Sequence, residues 1–143
     1  MTTTFKRILV GVDDSKDALL AFDTAIQLAK RDAAELIIVS VLENEQLNIY
    51  QTLDSDFIHG EYDDLEAHLR EYQKQAQAAG VSNVRMMVTE GEPGESIVKD
   101  VIPAVKPDLL VVGSLAKKGV SRYFGSQAAY MAKYAPITVL VVR

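Results

Sequence analysis

The sequence predicts an α/β protein whose five-stranded parallel sheet carries helices on both faces. Five short apolar runs are continuous rather than alternating, as expected of strands covered on two sides. Helical patterns with apolar residues three and four apart fill the intervals between them. Strands and helices in alternation imply right-handed crossovers and hence a parallel sheet.

Each element follows from its residues. Ile8-Leu-Val-Gly-Val12, closed by Asp13-Asp14-Ser15, reads as the first strand. Ala18, Leu19, Phe22, Ala25, Ile26 and Ala29 mark the first helix, with Ser15 placed as its N-cap. Leu36-Ile-Ile-Val-Ser-Val-Leu42 is the second strand. Leu53, Phe57, Leu65, Leu69, Tyr72, Ala76 and Ala79 mark a longer helix that Gly80 should terminate in the left-handed region. Val84-Arg-Met-Met-Val88 is the third strand. Ile97, Val98, Val101, Ile102 and Val105 mark a third helix, whose last turn Pro103 should kink or shorten because it lacks an N–H. Leu109-Leu-Val-Val112 is the fourth strand. Ala128, Ala129, Met131 and Ala132 mark a last helix ending before Pro136, and Ile137-Thr-Val-Leu-Val-Val142 is the fifth strand.

Composition narrows the function. At 143 residues the chain is expected to form a single domain over residues 1–143, burying roughly 68% of its unfolded surface. With 48% apolar and 24% charged residues it has an ordinary globular balance, and its net charge of −5 argues against gripping a nucleic-acid backbone. Zero cysteines exclude disulfides, thiol catalysis and Cys-based zinc sites. No apolar stretch approaches a membrane span and no leader pattern opens the chain, so a cytoplasmic protein is expected. His59 and His68 lie nine apart on or near the second helix, and the pair is not read as a metal site.

Charge is unevenly placed. Five of the 15 basic residues (Lys117, Lys118, Arg122, Lys133, Arg143) and none of the 20 acidic ones lie between Gly113 and Arg143. The first 112 residues hold the other 10 basic residues with all 20 acids. Such a reversal suits an acidic protein that holds an anion. Within it, Gly113-Ser-Leu-Ala-Lys-Lys-Gly-Val-Ser-Arg-Tyr-Phe-Gly125-Ser126 leaves the fourth strand and enters the last helix.

In an open parallel sheet the ligand crevice lies beyond the strands' carboxyl ends, where the winding reverses. Order 2-1-3-4-5 would place strands one and three beside it, and order 3-2-1-4-5 strands one and four. Strand three ends in Thr89-Glu90-Gly91 and strand four opens into the glycine loop, which favours 3-2-1-4-5. Gly113 and Gly125 are expected to take φ > 0 and let backbone approach a phosphate, with the N–H groups of Ser126 and Gln127 opening the helix as donors. Lys117 would add charge, and Asp13 could accept from ribose hydroxyls or an adenine amine. Val12, Asp14, Ser15, Val112, Ser114 and Ala116 complete that rim. Glycines after a strand also serve simply as turns, and Asp14 with Ser15 also suits a helix cap.

Over nearly its whole length the sequence resembles the universal stress protein family. The match lies in Ile8-Leu-Val-Gly-Val-Asp-Asp-Ser15, Gly91-Glu-Pro-Gly-Glu95, Asp108-Leu-Leu-Val-Val-Gly-Ser114, Gly125-Ser126 and Ala135-Pro-Ile-Thr-Val-Leu-Val-Val-Arg143. The resemblance implies a Rossmann-like sheet of the adenine nucleotide alpha hydrolase-like kind, order 3-2-1-4-5, and a homodimer. It implies ATP, with Mg carried by the phosphates, at the strand 1/strand 4 crevice. Asp13 would then contact the nucleoside, Val41 line the base pocket, and Gly113, Gly125 and Ser126 hold ribose and phosphates. The family pattern is Gly, two residues, Gly, nine residues, then Gly-Ser or Gly-Thr. Here Ala116 takes the second glycine's place and eight residues separate it from Gly125. A left-handed backbone at Ala116 would cost roughly 1–2 kcal/mol.

These expectations define a small stress-response or regulatory protein that binds an adenine nucleotide with little or no turnover, since no nucleophile or positioned base is evident. The alternative is a homodimeric interaction module that binds no nucleotide, acting on an unidentified protein partner. A phosphoryl-accepting receiver domain, suggested by Asp13-Asp14, fails because strand three ends without an Asp and no helix follows strand five. The apolar strand from Ile137 to Val142, at a sheet edge in the favoured order, is the expected dimer contact.

Overall fold

The computed structural model describes residues 4–13, 16–42, 55–114 and 125–143, with backbone alone for residues 55–62. In chain order the elements are β1 (Arg7–Gly11), α1 (Lys16–Asp32), β2 (Glu35–Leu42), α2 (Ser55–Ala79), β3 (Val84–Glu90), α3 (Pro93–Ser96), a π-helical turn (Ile97–Val101), α4 (Ile102–Val105), β4 (Leu109–Gly113), α5 (Ser126–Tyr134) and β5 (Thr138–Val142). The five strands form one parallel sheet of order β3-β2-β1-β4-β5, as the glycine loop after the fourth strand suggests. Boundaries move by one or two residues from those read in the sequence. β5 starts after Ile137, clear of Pro136.

Alternate residues of each central strand enter opposite layers, which explains why the runs are continuously apolar. Ile8, Val10, Val12, Leu36, Ile38 and Val111 pack under α1 and α2, joined by Phe22, Ala25, Leu69 and Tyr72. The Phe22 and Tyr72 rings meet edge to face with centroids 4.9 Å apart, fastening α1 to α2. Leu9, Ile37, Val39, Leu110 and Val112 pack on the other side against Ile97, Val101, Ile102, Ala128 and Met131. Fully burying each such aliphatic side chain contributes about 1.5–3 kcal/mol.

Helix ends show where sequence signals were followed and where they were absent. Gly80 closes α2 at φ 112°, with Val81 N–H donating to Ala76 O (3.1 Å) and Gly80 N–H to Gln77 O (3.1 Å). α1 closes in a similar way on Ala33, at φ 53°, with no glycine to ease it. Around Pro103 the chain does not stop short. The π-helical turn ahead of it widens the helix so that Ile102 N–H reaches Ile97 O, and α4 runs on to a left-handed Lys106 (φ 52°).

At the amino end of the sheet Asp108 takes hydrogen bonds from the N–H groups of Lys6 (2.8 Å) and Arg7 (2.9 Å), while Arg7 Nη1 donates to Val105 O at 2.7 Å. These contacts lock β1 beside β4. At the opposite, carboxyl end of the same two strands the winding reverses, the crevice position of an open parallel sheet.

Candidate functional site

β1, β2 and β4 end together at this crevice, and their last residues are held by hydrogen bonds between neighbours. Val12 N–H donates to Val39 O at 3.0 Å, and the buried Ser40 hydroxyl donates to Val12 O at 3.2 Å. The backbone leading into Asp13 is therefore fixed from the β2 side. Asp13 is exposed just past it, and Val41 is half-buried on the sheet face that also carries Val112. Asp14, Ser15, Ala116 and Lys117 lie outside the described residues.

On the β4 side, Ser114 is the hub. Its N–H donates to Val142 O (3.0 Å), its carbonyl accepts from Gly125 N–H (2.7 Å), and its hydroxyl donates to Asp17 Oδ2 (2.7 Å). Both side chains are buried, Ser114 at 4% exposure and Asp17 at 7%. The two ends of the 115–124 stretch, Ser114 and Gly125, are thus bonded to each other and to α1.

The two glycines do not take the positive φ that the sequence suggested. Among the described residues the glycines with positive φ are Gly80 and Gly91; Gly113 ends β4, and Gly125 is extended at φ −60°, ψ 143°. Gly113 is required for a different physical reason. A Cβ there would stand 2.7 Å from Asp17 C, 2.8 Å from Ala18 N and 2.9 Å from Asp17 O, so its bare Cα lets the first turn of α1 rest directly on β4. Gly11 has room by comparison, 3.5 Å from Ile97 Cδ1.

Two described helices start at this end beside β1 and β4, and they differ in charge. α1 carries the buried carboxylate of Asp17 in its first turn; α5 has no acid in its first turn. The first bond of the α5 ladder is Ala129 N–H to Gly125 O at 2.9 Å, which leaves the N–H groups of Ser126, Gln127 and Ala128 outside it. The α5 terminus therefore has the polarity an anion requires. Ser126 is exposed there. The Gln127 side chain turns elsewhere, its Oε1 accepting from Gly94 N–H at 2.7 Å and its Nε2 donating to Glu92 Oε2 at 3.2 Å, so its backbone N–H is what it can offer a ligand.

The sequence reading missed Asp17, whose partner lies 97 residues away, and missed Ser40 as a strap on Val12. The one local signal was an acid two residues beyond a candidate helix cap. Among the described residues no cluster of three or more His, Asp or Glu side chains could hold a metal ion. Among them too, no helix is long and apolar enough to cross a membrane.

A doubly wound parallel sheet with its crevice between β1 and β4, facing an acid-free helix terminus, defines a class of small α/β ligand-binding folds. Within that class the chain belongs to the universal stress protein family, whose model matches residues 4–143. A relative from Staphylococcus haemolyticus named for the same family is 35% identical over 141 residues, covering 98% of this chain and 86% of its own length. Among solved structures, the universal stress protein UspA from Lactobacillus plantarum superimposes with a TM-score of 0.87 at 25% identity, over 99% of this chain and all of that one. A universal stress protein in complex with cAMP superimposes with a TM-score of 0.74 at 29% identity, over 99% of this chain and 98% of that one.

Proposed function

We propose that this chain binds an adenine nucleotide, ATP foremost, in the crevice beyond β1 and β4, and that it acts in the cytoplasm as a small stress-response regulator with little or no turnover. The observation that carries the reading is the contrast between the two helix termini. The acid-free start of α5 presents three N–H groups outside the helix ladder, which suits phosphate, whereas Asp17 makes the start of α1 unsuitable for it. Asp13 and Val41 at the ends of β1 and β2 suit the nucleoside, an acceptor for hydroxyl or amine groups and an apolar wall for the base. The family member solved with cAMP supports an adenine ligand. Magnesium, where present, would ride on the phosphates.

Mg-ATP at 100 times its dissociation constant should stabilise the fold by about 2.7 kcal/mol. At roughly 2–4 °C per kcal/mol the melting temperature should rise by about 5–11 °C. No shift at millimolar ATP would overturn the reading. It would favour the alternative of a nucleotide-free interaction module acting on a protein partner, to which one observation lends weight: Gly113 is accounted for by α1 packing without any ligand.

The same reading includes a homodimer through β5. This strand pairs with β4 on one side and forms the sheet edge on the other, with Leu140 37% exposed upon it. Pairing with a second β5 would cover that edge. Sedimentation at micromolar concentration should show a dimer, and Leu140→Lys should shift it toward monomer; a monomeric wild-type chain contradicts the dimer and leaves the nucleotide reading intact.

A further inference from the structure

We infer that the buried Asp17–Ser114 hydrogen bond is the positioning link that holds the two walls of the crevice in register, an inference that rests on the nucleotide-binding reading of that crevice. One wall is the end of β1 with Asp13 and the first turn of α1; the other is the exit of β4 at Ser114 and the entry to α5 at Gly125. Backbone pairing of the sheet holds β1 against β4 over Ile8–Val10 and Leu109–Val111. Beyond those pairs a side-chain bond joins the walls, Ser114 Oγ donating to Asp17 Oδ2 at 2.7 Å. Ser114 also accepts the Gly125 N–H through its carbonyl at 2.7 Å. Movement of Ser114 therefore carries the α5 terminus with it. Gly113 lets α1 sit close enough for the bond to form, since any side chain there would meet the Asp17 backbone. Asp17 acts through Ser114 and Gly125 and need not touch the ligand.

A positioning link and a merely structural bond respond differently to removal of both partners. Ser114→Ala leaves a buried carboxylate without its hydroxyl donor, which destabilises the fold, whereas the double variant Asp17→Ala/Ser114→Ala removes the carboxylate as well and should recover much of that stability. Nucleotide affinity should not recover with it. By isothermal titration calorimetry well below the melting temperature, ATP should bind about tenfold or more weakly to Ser114→Ala and to the double variant, as expected for loss of a hydrogen bond to a charged group. Asp17→Asn, which retains an acceptor, should stay nearer wild type.

Amide hydrogen exchange of Gly125, followed without nucleotide, supplies a second readout. It should quicken by about tenfold in both Ser114→Ala and the double variant relative to wild type, after correction for global stability. A double variant that regains both wild-type affinity and wild-type Gly125 protection reduces the pair to a structural bond and overturns the inference. If wild type itself binds no ATP, the functional reading fails, and the exchange result alone then decides whether Asp17 holds the walls together: unchanged Gly125 protection in the double variant refutes the link.

Discussion

Replacing Gly113 by alanine separates the two explanations of that residue. If the glycine serves a bound phosphate, Gly113→Ala should fold with wild-type stability and lose only affinity. The structure predicts otherwise. The added Cβ would lie 2.7 Å from Asp17 C, 2.8 Å from Ala18 N and 2.9 Å from Asp17 O, all inside the 3.4 Å at which ordinary contact begins. None of the three atoms is the end of a flexible side chain. α1 must shift away from β4, disturbing the packing of its own buried Ala18 and Ala21. Overpacking typically costs about 1–3 kcal/mol, and backbone partners place this case at the upper end, about 2–3 kcal/mol. With a urea dependence of about 2 kcal/mol per molar, the unfolding midpoint should fall by about 1–1.5 M at an unchanged slope. Gly11→Ala is the control, because its Cβ would find Ile97 Cδ1 at 3.5 Å and Val112 Cγ1 at 3.9 Å, ordinary contacts. It should hold the wild-type midpoint or gain about 0.4–1 kcal/mol from a less flexible unfolded chain. A Gly113→Ala midpoint equal to wild type, or equal losses at both positions, would refute the packing explanation.

Two further outcomes follow from the helix ends and the chain's amino edge. Ala33 closes α1 at φ 53°, a conformation that costs an L-residue roughly 1–2 kcal/mol, so Ala33→Gly should raise the urea midpoint by a net ~0.5–1 kcal/mol equivalent after glycine's greater unfolded freedom is subtracted; a midpoint at or below wild type would count against it. Asp32 accepts hydrogen bonds from Arg31 and from Phe5 N–H, which lower its carboxyl pKa from 3.8 to about 2. Because the folded value is the depressed one, its contribution to stability is present above the unfolded pKa and is lost as pH falls through about 2. The gap in urea midpoint between wild type and Asp32→Asn should therefore stay constant at neutral pH and narrow between about pH 4 and pH 2, and a gap independent of pH would exclude the carboxylate as its source.

The features legible in the sequence are those written within a few consecutive residues. Continuous apolar runs such as Leu36 to Leu42 gave both sheet faces, and Gly80 announced its own left-handed cap. The strand order was legible only because a glycine-bounded loop follows β4, which drew attention to the β1/β4 end. Ala33 and Lys106 adopt the left-handed region without glycine, so no composition signal marks them. At the crevice, Val41 and Val112 share a sheet face, and the bond that ties its walls joins residues 97 apart. Gly113 was noticed for its type, and the structure adds a neighbour that the sequence could not name. A missing side chain shows that something approaches closely, and only the packed chain shows that this something is α1.

A similar shift of meaning applies to Gln127 and the Gly91-Glu-Pro-Gly-Glu95 stretch. Gly91 takes φ 125°, and the Ser96 hydroxyl donates to Glu90 O at 2.8 Å, so the turn after β3 is held in one shape. That turn presents Gly94 to α5, where a Cβ would meet Gln127 Oε1 at 2.9 Å, Gln127 O at 3.1 Å and Tyr130 Cδ1 at 3.1 Å. The Gly94 N–H then binds Gln127 Oε1 at 2.7 Å. Two sequence blocks more than thirty residues apart thus form one brace against the first turn of α5. A helix terminus attracts an anion only along its axis and within its first turn, so its aim matters as much as its charge. Gln127 fixes that aim with its side chain and leaves its N–H to the crevice. Ser114 and Asp17 act on the same terminus from the other side, through Gly125. On the proposed nucleotide reading, affinity would therefore depend on residues that need never touch the ligand, because Gln127, Ser114 and Asp17 all act on the aim of the α5 terminus.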